Sequence, residues 1–117
     1  MRQSETVLIY KILRPPEWEE FESSGIFEGS VDDVRDGLIH CSSRSQVAAT
    51  ALRFFADQPE LIVVTLDADA LEDAVKWEPA STGERFPHVY AALPMHVVVA
   101  VHHVDNAEVV DDVLGTD

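Results

Sequence analysis

The distribution of apolar and polar residues along the chain predicts a series of strands interrupted by two helices. Thr6-Val7-Leu8-Ile9-Tyr10-Lys11-Ile12-Leu13 is apolar and β-branched, which predicts a strand. Pro15-Pro16 ends it and supplies the first turn of a helix, in which Trp18 and Phe21 share a face and which Gly25 stops. Ile26 to Arg35 reads as a loop with Gly29-Ser30 and the acidic pair Asp32-Asp33, followed by a short strand from Leu38 to Cys41. Ser42 or Ser43 caps a second helix, Ser45 to Ala56, where Val47, Ala48, Ala51, Leu52 and Phe55 recur at helical spacing. Beyond Pro59, Leu61 to Leu66 reads as a buried strand, then a turn or short helix at Asp67 to Leu71. Val75 to Glu78, Phe86 to Ala92 and His96 to Val104 complete the strands, the last two separated by Pro94. Strands outnumbering two early helices predict an α+β class.

A length of 117 residues suits one domain, with a core over 6–104 and an acidic C-terminal tail over 105–117. Apolar residues make up 46% of the chain, which excludes disorder. No stretch reaches the length of a membrane span, and Lys11 interrupts the first apolar run too early for a secretory signal. Cys41 stands alone, so no internal disulfide forms and a cytoplasmic location is the expectation. A net charge of −14 repels phosphate backbones and anionic lipid, so nucleic acid and membrane are poor partners. Much of that charge crowds the tail, in Asp105, Glu108, Asp111, Asp112 and Asp117, as a solvated face or frayed end. Oligomeric state leaves no mark on the sequence.

Two histidines change the picture. Asp36-Gly37-Leu38-Ile39-His40-Cys41-Ser42-Ser43 and Phe86-Pro87-His88-Val89-Tyr90 each place a histidine where a core strand normally carries Val, Leu or Phe. Alternation puts His40 with Leu38 and Ser42, and His88 with Phe86 and Tyr90. His40 and Cys41 therefore point apart and form no nucleophilic dyad. A single strand histidine is more often structural. Two together, with hydroxyls beside them, indicate a polar pocket. Ser42-Ser43-Arg44-Ser45 opens a helix after a strand, where backbone N–H groups and a guanidinium converge on an anion, although most such starts are simple caps. Lys11 at a strand end is ordinarily a snorkelling side chain, and Cys41 a small buried hydrophobe. No Walker loop, dinucleotide glycine fingerprint or zinc spacing is present. His40, His88 and either His96 or His102 have no ligand rhythm, so no metal is predicted.

These residues carry a family likeness. Ile9-Tyr10-Lys11-Ile12, Trp18, Gly25 to Ser30, Asp36 to Ser42 with Gln46, Trp77-Glu78 and Phe86 to Tyr90 together resemble the small bacterial proteins classed as domain of unknown function 952, over residues 6–104. That family is similar to the ADP-ribosyltransferase fold, especially the branch containing the RNA 2′-phosphotransferases. The resemblance implies two packed, mainly antiparallel sheets with two helices around a cleft for NAD. It matches His40 to the branch's second histidine and the segment His88 to Tyr90 to its third strand. Lys11 stands where members often carry histidine, and Ala91-Ala92 where Gly-Pro is common.

The reaction so implied is attack at the glycosidic carbon of NAD, helped by carboxylates as positive charge builds on the ribose. Glu78 and Glu84 are the nearest carboxylates in sequence to His88. The expected catalytic set is His40, His88 and Glu78, with His40 anchoring the ribose. Ligand contacts are assigned to Tyr10, Lys11, Ser42, Ser43, Arg44, Trp77, Arg85 and Tyr90. Tyr90 or Trp77 would be the stacking surface, and Lys11 with Arg44 the phosphate contacts. Two other readings stand beside this one. A binding module without turnover agrees with Lys11, whose charge opposes a cationic nicotinamide. A histidine-based metal enzyme is the third.

Overall fold

The computed structural model describes residues 6–115 and builds a mixed α/β fold from antiparallel sheets and short helices. Met1 to Glu5, Thr116 and Asp117, the last residue of the expected tail, lie outside the described residues. The first sheet has order β1-β4-β8, formed by Leu8–Leu13, Leu61–Asp67 and Val98–Val104. It is covered on both faces, which explains the near-continuous apolar runs of β1 and β4. Ile9 and Leu13 of β1 join a core with Phe21, Ile62, Val64, Leu66, Val89 and Leu93. Tyr10 and Ile12 face a second core with Val47, Ala51, Val63 and Val104. Lys11, between Ile9 and Leu13, is thereby drawn into the larger core's side and is only 6% exposed.

The second three-stranded sheet, order β3-β6-β5, comprises Ile39–His40, Arg85–Val89 and Val75–Pro79. A two-residue ladder pairs β2 (Ile26–Phe27) with β7 (Leu93–Pro94). Hydrogen bonding thus gives three sheets instead of two. Pro94, expected only to separate strands, lies within β7, where a short edge ladder tolerates its missing N–H. Tyr10 and Ser42 exchange backbone N–H···O bonds of 2.8 Å in each direction, stitching β1 to the segment after β3.

Helices are α1 (Pro15–Ser24), α2 (Val31–Asp36), α3 (Val47–Phe54) and α4 (Val110–Leu114). Two of these depart from the sequence reading. The segment expected as a loop from Ile26 to Arg35 holds β2 and α2. Ser30 and Asp33 form a capping box there: the Asp33 N–H donates to Ser30 Oγ (3.2 Å) and the Ser30 N–H to Asp33 Oδ2 (2.9 Å). Gly37, at φ +78°, ends α2 in the left-handed region and turns the chain into β3. The segment expected as an acidic tail places Ala107, Val110 and Leu114 in the second core, while Asp111 and Asp112 stay in solvent. The acids form the solvated face; the three- and four-residue apolar spacing prevents fraying of residues 107–114. No helix of the described residues is long and apolar enough to cross a membrane.

Candidate functional site

The β3-β6-β5 sheet has an inner and an outer face. Ile39, Val89 and Val75 turn inward onto the larger core. By alternation, His40, His88, Lys76, Glu78, Phe86 and Tyr90 occupy the outer face. His40 and His88 are direct cross-strand partners, and Lys76 is the partner of His88 on the other side. The two imidazoles stand edge to face, centroids 5.6 Å apart at 78°. Both reach solvent, with side chains 42% and 17% exposed.

His40 is held between two carboxylates. Its Nδ1 is 2.7 Å from Asp33 Oδ1, which also accepts the His40 backbone N–H at 3.1 Å. Its Nε2 is 3.1 Å from Asp36 Oδ2. Asp33, only 2% exposed, pairs through its other oxygen with Lys11 Nζ at 2.8 Å. Lys11 Nζ also donates to the His40 carbonyl at 2.8 Å. Burial alone would push the Asp33 carboxyl up, but the Lys11 charge and hydrogen bonds from Lys11, the Ser30 N–H and His40 bring it down to about 2. Asp33 therefore links three elements at once, fixing β1, α2 and β3 around one imidazole.

His88 has a separate carboxylate. Its Nδ1 is 2.7 Å from Glu78 Oε1, and Tyr90 donates its hydroxyl to the same oxygen at 2.7 Å. The Tyr90 and His88 hydrogen bonds hold the Glu78 carboxyl below its usual range, and Glu78 in turn pushes the Tyr90 phenol up. An imidazole that donates Nδ1–H to a carboxylate carries its lone pair on Nε2. Among the described residues, His88 Nε2 has no hydrogen-bond partner and so offers an acceptor. The unit has the parts of an oriented acid–base group.

The remaining residues expected at the site divide sharply. His40, His88, Glu78 and Tyr90 come together on the outer face. Lys11 lies beneath it, engaged by Asp33. Trp77 pairs with Pro87 and so occupies the opposite face from His88, away from the face on which a ligand meeting His88 would stack. Tyr10 is buried in the second core. Ser42 donates its hydroxyl to Thr50 at 3.1 Å, and Ser43 gives its N–H to Gln46 Oε1 at 2.9 Å. Arg44 is held at the C-terminal helix by Asp111 Oδ1 (2.6 Å) and the Gly115 carbonyl, so this guanidinium ties α4 to the start of α3 instead of facing the histidines. Arg85, exposed, donates to the Trp77 carbonyl at 3.2 Å. Glu84 accepts from Gln46 Nε2 at 3.1 Å. Cys41 is fully packed, and burial pushes its thiol up to about 12.

Three contributors escaped the sequence reading: Asp33, Asp36 and Lys76. The Ser30-x-x-Asp33 cap and the four-residue step from Asp36 to His40 were the available signals. Among the described residues no three His, Cys, Asp or Glu side chains gather as metal ligands, so the histidines share a sheet face without a metal-binding geometry.

Comparison with known proteins places this architecture. The family described as "Protein of unknown function (DUF952)" matches residues 12–101, and the chain belongs to that family. The crystal structure of protein CC0527 from Caulobacter crescentus is similar, with 40% identity and a TM-score of 0.80, covering 84% of this chain and 86% of that one. The solution NMR structure of CC0527 agrees, with 40% identity and a TM-score of 0.73 over 84% of this chain and 83% of that one. No curated protein matches the chain.

Proposed function

We propose that the outer face of the β3-β6-β5 sheet binds a small nucleotide-type ligand, NAD foremost, through His40, His88, Glu78 and Tyr90. The observation that carries this reading is the pairing of two solvent-reaching imidazoles, each with Nδ1 2.7 Å from a different carboxylate. Stability gains little from the His88–Glu78 unit on this sheet face, because partly exposed ion pairs contribute about 0–1 kcal/mol. Ligand recognition gains more, since both rings are held in fixed orientations before binding.

The residues present fit one end of NAD better than the other. His88 Nε2 can accept a proton from a ribose hydroxyl, with Glu78 steadying the ring. Tyr90 and Phe86 offer aromatic surface on the same face. Glu78 and Asp36 stand where positive charge on a sugar or pyridinium ring would be favoured. The diphosphate has less to meet at the His40 end, because Lys11 and Arg44 are already paired within the protein, whereas Lys76 stands beside His88. NAD would supply a glycosidic bond to a cationic leaving group. Transferase or NAD-cleaving chemistry of the ADP-ribosyltransferase type is the catalytic form of this reading. Binding without turnover is favoured by one observation: Lys11, at the first motif position, is buried against Asp33 and does not reach the face.

Titration calorimetry with NAD and with ADP-ribose, together with a nicotinamide-release assay, tests both forms. Saturable binding lost in His40→Ala and His88→Ala supports the site. Nicotinamide release supports the enzyme, and its absence the binding module. Undiminished binding in both variants places the ligand elsewhere.

A further inference from the structure

Asp36 occupies the outward ring nitrogen of His40. It is the last residue of α2, and the left-handed turn at Gly37 folds β3 back so that Asp36 Oδ2 meets His40 Nε2 at 3.1 Å. The other ring nitrogen, Nδ1, is taken by the buried Asp33. A carboxylate at a helix C-terminus faces the negative end of the backbone dipoles, so helix stability does not account for it. Asp36 is instead held by two neighbours: His40 on Oδ2 and the Arg35 Nε, 3.0 Å from Oδ1. Arg35 also pairs with Asp32 at 3.2 Å, so this exposed cation is shared between two carboxylates.

We propose that Asp36 sets the charge class of the ligand group that meets His40: it covers the imidazole edge that an anion would seek, so the His40 end of the face accepts the neutral or cationic part of a nucleotide-type ligand and refuses phosphate. This rests on the reading of the outer face as a binding site and specifies which end of the ligand meets His40. A neutral hydroxyl or a cationic ring can approach with Asp36 in place, as partner to the carboxylate. A phosphate must displace Asp36 from His40 and then remain beside Asp36 and Asp33. Two like charges at contact distance oppose each other strongly enough, even near solvent, to shift affinity on the order of tenfold.

Histidine side-chain ¹⁵N–¹H NMR during titration with inorganic phosphate tests the proposal. In the wild-type protein the His40 signals should not respond saturably. In Asp36→Ala, and in the isosteric Asp36→Asn, they should shift saturably, with apparent affinity for phosphate raised at least on the order of tenfold. Asp32→Ala releases Arg35 without uncovering His40 and should behave as wild type. A wild-type phosphate response at His40 equal to that of both Asp36 variants overturns the proposal. So does an equal gain in Asp32→Ala, which would assign phosphate binding to Arg35. Failure of NAD to bind the wild-type protein, with phosphate binding gained at His40 in the Asp36 variants, removes only the nucleotide reading.

Discussion

Lys11 Nζ and Asp33 Oδ2 form an ion pair of 2.8 Å between side chains only 7% and 2% exposed, on elements far apart in sequence. The pair is the floor of the histidine face. Asp33 reaches up to His40, and Lys11 reaches the His40 carbonyl. A lysine inside an otherwise apolar strand is thus explained by its partner. The Lys11 charge is thereby neutralised within the fold before any ligand arrives.

Removing one member leaves the other charged and buried. Asp33→Asn and Lys11→Met should each destabilise the protein by roughly 3–5 kcal/mol. The double variant should lose less than the sum of the two, because neither charge is then stranded. Urea unfolding of the four proteins checks this; strict additivity would mean that the pair is not coupled.

Stability should also carry an acid signature of Asp33. Its folded carboxyl is lowered from 3.8 to about 2, so its contribution is present in full above the unfolded value and lost as pH falls through about 2. The stability gap between wild type and Asp33→Asn should therefore narrow by roughly 2 kcal/mol between about pH 5 and pH 1. Denaturant midpoints across that range supply the test, and a gap that stays constant would count against it.

Tyr90 and Glu78 offer a spectroscopic handle on the other half of the face. Glu78 accepts the Tyr90 hydroxyl and opposes its ionisation. In a Tyr10→Phe background, Glu78→Gln should lower the pH midpoint of tyrosinate absorbance. An unchanged midpoint would show that the Tyr90–Glu78 hydrogen bond does not persist in solution.

Cys41 should be chemically silent. Its thiol is buried and pushed up to about 12, leaving almost no thiolate at neutral pH. Thiol reagents should label it only in denaturant. Rapid labelling of the native protein would mean that β3 opens readily.

The histidine face was legible because strand alternation is local. His88 and Tyr90 are two residues apart, and both meet Glu78. Alternation also shows why Glu78 and its neighbour Trp77 could not both face His88, a conflict that surfaces once Trp77 is seen opposite Pro87. Lys11–Asp33 was not legible, since only the tertiary fold brings β1 to α2 and the Ser30 capping box was hidden among loop-forming residues. Arg44 misled for a related reason. Its neighbours suggested an anion, whereas its partner, Asp111, lies 67 residues away on a helix that acidic composition had disguised as a tail. The α+β class followed from the strand pattern, and antiparallel sheets were expected from the family likeness alone; the division into three sheets depended on two-residue ladders too short to leave a periodic signal.

The central claim is that His40 and His88 form one binding face, and side-chain ¹⁵N–¹H NMR of the histidines during an NAD titration tests it most directly. Signals of both rings should shift along a single isotherm, while those of His96, His102 and His103 stay in place. Shifts confined to one ring, or no response from either, would contradict it.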